Sequence, residues 1–214
     1  QKINRYINNN RANSIMDNKE KRFVTGSIEI EKRDGVESRT ISGYAVVFDK
    51  FSSILGGKTF GFREKITRAA FDGVDMTGVI ATFNHNFDNV LARADSGSLS
   101  LTMDDVGLRY AFESPNTSYG NDLLENVRNG NVKGSSFMFT VRDQMWEYKN
   151  GEGTDEREIT QVDELFELGP VTVPAYPDTT AAQRSYNDNK ASINTSDGYE
   201  SVKRRIEILK TKFT

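Results

Sequence analysis

The residues best suited to chemistry in this chain are few. A single histidine, His85, stands in "ATFNHNFDN" at the end of an apolar run. Two serines, Ser135 and Ser136, follow Gly134 in "KGSSFMF". There is no cysteine, which excludes disulfides, thiol catalysis and thiolate metal sites. One imidazole cannot build a multi-histidine zinc site within a single chain. A carboxylate site for Mg²⁺ or Ca²⁺ is the alternative left open, but no "DxDxDG" calcium loop occurs; the expectation is no metal and no cofactor.

A serine hydroxyl is a weak nucleophile at its own pKa. It needs a base within hydrogen-bond reach, and the base gains from a third group that fixes its tautomer. His85 is the one imidazole available, delivered at the polar end of "VIATF" and flanked by Asn84 and Asn86. The plainer reading is a hydrogen-bonded or surface histidine. Strand alternation separates the two serines: if Phe137 and Phe139 face one way, Ser135 shares their side and Ser136 points with Met138. Gly134 leaves room beside them for a backbone donor, although two turn-forming serines at a strand start remain the alternative. The segment is not a "GxSxG" elbow, so an α/β-hydrolase mechanism is not indicated. Candidate carboxylates are Asp143, Asp163, Glu164 and Glu167. Glu167 stands out because "FELGPVTVP" is otherwise apolar, and a carboxylate there needs a partner. An edge-strand glutamate facing water is the competing reading.

These side chains must be positioned by short strands. Of the 214 residues, 36% are hydrophobic and 28% charged, and mean hydropathy is −0.61. The balance suits one domain with polar extensions. Net charge is −3, so nothing pulls the whole chain toward nucleic acid. Apolar runs are far shorter than the roughly 20 residues that span a membrane, and the polar first twenty residues carry no signal-peptide pattern. Residues 21–33 alternate apolar and polar up to Asp34-Gly35, and the run 37–51 continues beyond it, which predicts a hairpin. Residues 96–114 predict a second hairpin turning at Asp104-Asp105. "NTSYGNDLLENVRNG" (116–130) predicts a helix with Leu123, Leu124 and Val127 inward and Gly130 closing it. Residues 131–150 and 157–177 read as strands. The expected organisation is a polar arm over 1–20, a core over 21–177, and a polar linker with an amphipathic helix over 178–214. The fold class is mainly β with helices (α+β): a closed antiparallel β-barrel flanked by a few helices.

The ordered set of segments resembles a known family. "GYAVVFD", "FREKITRAAF", "NHN" with "VLAR", "GLRYAFESPNTSYGNDLLENVRNGNVKGSSFMF" and "FELGPVTVPAYPDT" follow one another as the motifs of tailed-bacteriophage prohead (capsid-maturation) proteases do. The resemblance covers about residues 41–180. That family is related to the herpesvirus assemblins, whose serine-protease fold is a β-barrel surrounded by helices. The resemblance implies that His85 is the general base, Ser136 the nucleophile and Glu167 the third member. For the oxyanion the mechanism needs preorganised donors, here read as backbone groups near Ala175 and Tyr176; Arg93 is read either as structural or as lining the cleft, and Ser135 as a cleft residue. The chain departs from the pattern at "RAAF", "NHN", "VLAR" and "ELGPV", and Met138 stands where the family usually has glycine.

Such a protease cleaves a capsid or scaffolding protein, and itself, inside the viral procapsid. No membrane and no specific nucleic acid are implied as partners. The stripe Val202, Ile206, Leu209 and Phe213 offers a docking face for scaffold, capsid subunit or a second copy of the chain, and equally for its own barrel. The rival reading is a non-enzymatic capsid-assembly or scaffolding module on the same fold. The two differ in one requirement: a protease needs Ser136, His85 and a carboxylate within reach of one another.

Overall fold

A computed structural model describes residues 18–26, 28–56, 61–149, 153–172 and 184–190. Ten strands run in chain order: β1 (Glu20–Thr25), β2 (Ile28–Arg33), β3 (Val36–Val47), β4 (Phe62–Ile66), β5 (Ile80–Thr82), β6 (Val90–Arg93), β7 (Leu99–Met103), β8 (Gly107–Glu113), β9 (Gly134–Glu147) and β10 (Asp155–Val171). A 3-10 turn spans Arg68–Phe71, helix α1 spans Ser118–Arg128, and a short helix α2 covers 184–190.

Both predicted hairpins form. Asp34 and Gly35 take positive φ angles of 52° and 79°, the backbone a tight two-residue turn requires. In the second turn Asp104 Oδ1 accepts from the N–H groups of Val106 and Gly107. Helix α1 is capped by the Thr117 side chain, which accepts from Gly120 N. It buries Leu123, Leu124 and Val127 and ends before Gly130 at φ 67°, as its sequence predicts.

The strands make two sheets. One has the order β1-β9-β10-β5-β6, with β4 also on β10, and the other has the order β2-β3-β8-β7. The mainly β fold with helices is thus observed, but the hydrogen-bond ladder runs as two sheets and does not close into one barrel. Nor is it wholly antiparallel. β4 and β5 both pair parallel to β10, at 155–159 and at 167–168. They occupy one edge of the long β10 in succession, and the chain between them loops out through the 3-10 turn and returns in the same direction. A second departure lies at Gly26. The alternating run 21–33 is broken there, at φ 70°, so its first half joins one sheet as β1 and its second half joins the other as β2.

The main core lies between the sheets and contains Ile41, Tyr110 and Phe112 from one, and Phe137, Phe139 and Leu168 from the other. A smaller cluster of Leu55, Phe62 and Tyr186 packs against Trp146 and Tyr148. Tyr186 belongs to α2, so part of the stretch read as linker packs on the β-sheet body. Glu20, read as the end of the polar arm, starts β1 and is buried. The 199–213 stripe lies outside the described residues.

Candidate active site

β9 and β10 are neighbours, and their register sets Ser136 against Gly169 and Met138 against Glu167. Residues opposite one another in a ladder project from the same face, so Ser136, Met138 and Glu167 share one side. Ser135, Phe137 and Phe139 take the other. The alternation read from "SSFMF" is what separates the serines: Ser135 is fully buried, its Oγ hydrogen-bonded to Tyr110 Oη at 2.8 Å. Burial raises the Tyr110 phenol far above its ordinary value; the Ser135 bond opposes this and the nearby Glu167 charge adds to it. The pair is therefore a neutral hydroxyl contact within the core, behind the site rather than in it.

His85 arrives from the turn after β5. β5 lies on β10 with Ile80 opposite Glu167 and Ala81 opposite Leu168. Gly169 permits this approach: a Cβ there would stand 2.1 Å from the Thr82 carbonyl oxygen. The turn is held in an uncommon backbone. Asn84 and His85 both adopt the left-handed region, at φ 55° and 58°, where asparagine is tolerated better than most residues. Asn84 N donates to Pro170 O at 3.0 Å. Its Oδ1 accepts from Thr172 N at 2.9 Å and from Thr172 Oγ1 at 3.2 Å. The histidine turn is thus clamped to the end of β10, the strand that carries Glu167.

The result is a continuous chain of hydrogen bonds. His85 Nε2 lies 2.7 Å from Ser136 Oγ, and His85 Nδ1 lies 2.6 Å from Glu167 Oε2. Thr82 Oγ1 donates to Glu167 Oε1 at 2.6 Å. A carboxylate only accepts, so the imidazole proton sits on Nδ1 and Nε2 is left to accept from the serine. Glu167 is 1% exposed and Ser136 5%, while the His85 side chain keeps 11%. The carboxylate is shielded and the histidine edge still meets solvent. Such an arrangement can deprotonate a hydroxyl and stabilise the imidazolium that forms.

The structure brings His85, Ser136 and Glu167 within hydrogen-bond reach of one another, the three residues that the resemblance named. Two other named residues lie elsewhere. Asp163 pairs with Arg142 at the surface. Arg93, at the end of β6, is held by Asp95 through two hydrogen bonds of 3.0 and 2.8 Å, and none of its polar contacts reaches the three residues. Ala175 and Tyr176 lie outside the described residues. Sequence reasoning missed Thr82, because a threonine in a β-strand looks like an ordinary strand former. Asn84 was visible only as a flank of His85; its fitness for left-handed backbone was the available signal.

Among the described residues no group of side chains is placed to hold a metal ion, and no helix is long and apolar enough to cross a membrane. Comparisons with curated proteins and with solved structures give no match. A protein-family model does match: caudovirus prohead serine protease, over residues 26–192. That span is well over half of the chain and contains β2 through β10, with His85, Ser136 and Glu167 inside it. The chain therefore belongs to the caudovirus prohead serine protease family.

Proposed function

We propose that this protein is the endopeptidase of capsid maturation, with Ser136 as nucleophile, His85 as general base and Glu167 as the third member. The observation that carries the reading is the unbroken Ser136–His85–Glu167 hydrogen-bond chain at 2.7 and 2.6 Å within a member of this family. Ser136 Oγ attacks the carbonyl carbon of the scissile peptide while His85 Nε2 takes its proton. The tetrahedral intermediate collapses as His85 returns that proton to the leaving amine, and an acyl-enzyme remains. Water, deprotonated by the same nitrogen, then releases the acid product and restores the Ser136 hydroxyl. Glu167 holds the Nδ1 proton in place and stabilises the imidazolium. Backbone N–H groups near Ala175 and Tyr176 are the proposed oxyanion donors. The substrates are capsid or scaffolding protein and the chain itself, met inside the procapsid.

The test is mass spectrometry of wild type and Ser136→Ala after incubation with a fluorophosphonate. The expected result is one adduct and terminal trimming in wild type, and neither in Ser136→Ala. Labelling that survives in Ser136→Ala and disappears in Ser135→Ala would move the nucleophile by one residue and refute the assignment.

Thr82 is a positioning residue for this chemistry, since it touches Glu167 and not the reacting atoms. Thr82→Val keeps the shape but leaves one oxygen of a buried carboxylate without a donor, a loss of about 1–3 kcal/mol. The expected outcome is a fluorophosphonate labelling rate about tenfold lower, largely restored by Thr82→Ser. Equal rates for the valine and serine variants would deny the hydroxyl any part in catalysis.

A further inference from the structure

A second feature adjoins Ser136. A cleft of about 400 Å³ opens beside β1, lined by Lys21, Phe23 and Thr25 of that strand, by Lys50 and Phe51 after β3, and by Ser136. β1 is an edge strand: among the described residues it pairs with β9 alone. Phe23 is the register partner of Ser136. The ladder continues one step past β1, where Gly26 N donates to Lys133 O at 2.8 Å. Hydrogen-bonded pairs alternate along an antiparallel ladder. Counting back from Gly26, Val24, Arg22 and Glu20 turn their backbone groups to β9. Lys21, Phe23 and Thr25 turn theirs away from β9, to the outer edge of the sheet. Of these, the Lys21 carbonyl is taken by Arg22 Nη1 at 2.8 Å.

The charges in the cleft are unequal. Glu64 is held by Arg22 and Arg157, and Lys65 pairs with Glu158 at 2.9 Å. Among the described residues neither Lys21 nor Lys50 has a carboxylate partner. Among the described residues the cleft therefore offers a strand edge without a ladder partner, aromatic surface from Phe23 and Phe51, and two ammonium groups without a carboxylate partner, all beside the candidate nucleophile.

Resting on the reading of Ser136 as nucleophile, we infer that the substrate docks as an added strand on the free edge of β1, and that the segment flanking its scissile bond is acidic. Main-chain hydrogen bonds to Phe23 and Thr25 give the affinity, as in other strand-addition complexes, and Lys21 and Lys50 select acidic side chains. Lys21 and Lys50 are specificity determinants in this scheme and take no part in proton transfer.

Docking is read apart from cleavage by using Ser136→Ala protein and fluorescence anisotropy. The probes are three labelled peptides of about eight residues, enough to span β1 at roughly 3.4 Å per residue. They share apolar positions and differ in carrying Glu, Gln or Lys at the polar ones. The Glu peptide is expected to bind roughly fivefold more tightly than the Gln peptide at low salt, and the Lys peptide more weakly than either. The preference should vanish in Lys21→Gln/Lys50→Gln and shrink near 1 M salt, where screening falls to about 3 Å. N-methylation along the Glu peptide should weaken binding at every second amide. Equal binding of the three peptides, no binding, or an unchanged preference in the double lysine variant would each overturn the inference. Fluorophosphonate labelling of wild type is scored separately. A labelled enzyme without acidic preference refutes the docking scheme alone. Acidic preference in Ser136→Ala beside an unlabelled wild type upholds the docking scheme and refutes the protease reading.

Discussion

With the proposed triad, Glu167→Gln is expected to lower the rate of fluorophosphonate labelling at Ser136 by about three to four orders of magnitude while the protein stays folded. The substitution keeps the volume of a side chain that is 1% exposed, so packing is preserved. What changes is the hydrogen-bond logic. Glu167 accepts from two donors, Thr82 Oγ1 on one oxygen and His85 Nδ1 on the other, and an amide has only one oxygen. If the amide nitrogen faces His85, it donates to Nδ1. The imidazole proton must then move to Nε2, where it points at Ser136 and blocks proton transfer. If the amide oxygen faces His85, the tautomer survives, but no negative charge remains to stabilise the imidazolium. Either orientation removes a contribution that acts mainly in the transition state. A thermal melt within a few degrees of wild type would show the fold intact. A labelling rate within tenfold of wild type would remove Glu167 from the mechanism and return Glu164 and the nearby aspartates to contention.

How far the site was legible follows from which residues stood out against their surroundings. His85 had no competitor of its type. Glu167 was conspicuous because its neighbours are apolar, and burial is the reason such a carboxylate must be partnered. Alternation in "SSFMF" separated the two serines correctly, since side-chain direction in a strand is fixed by parity alone. The caps and turns of α1 and the two hairpins were legible because they depend on local residues. What was not legible depends on contacts remote in sequence. The parallel pairing of β4 and β5 with β10 leaves no trace in either strand's pattern. The break at Gly26 hides within a run whose alternation continues across it. Helix α2 is too short for a helical period to emerge, and only its contacts, such as Tyr186 Oη donating to Asp155 Oδ2 at 2.7 Å, reveal that it docks. The Thr82 contact spans 85 residues.

The most consequential feature that the sequence concealed is a buried charge network, and it supports the second large effect: Arg157→Met destabilises the protein by about 3–5 kcal/mol. Arg157 is 1% exposed. Its guanidinium donates to Glu20 at 2.7 Å from each of two nitrogens, to Glu64 at 2.8 Å and to Gln144 at 2.6 Å. Arg22 bonds the same two glutamates. Two cations balance two anions across β1, β4 and β10, with separations of up to 137 residues in sequence. Removing one cation leaves two buried carboxylates sharing a single arginine. For a domain of this size the loss corresponds to a fall in Tm on the order of 10 °C. Replacing all four charges with apolar residues of similar volume should recover much of it, because no uncompensated charge then remains. The variant should also fail earlier in acid. Burial alone would raise the Glu20 carboxyl, but Arg22 and Arg157 overcome it and bring it from 4.5 down to about 2. A carboxyl depressed in the folded state adds stability that is complete above its unfolded value and is lost as pH falls through the folded one. In wild type that loss therefore runs from about 4.5 down toward 2. Without Arg157 the folded value rises, the contribution shrinks, and the acid midpoint moves upward. Thermal melts from roughly pH 2 to pH 7 read both effects; coincident acid midpoints would show that Arg157 does not sustain the ionised Glu20. Because β1 is the strand paired with Ser136 and its neighbours, the same network fixes the edge beside the proposed nucleophile. Partial loss of labelling in Arg157→Met at temperatures well below its Tm would show that the buried charges hold the site as well as the fold.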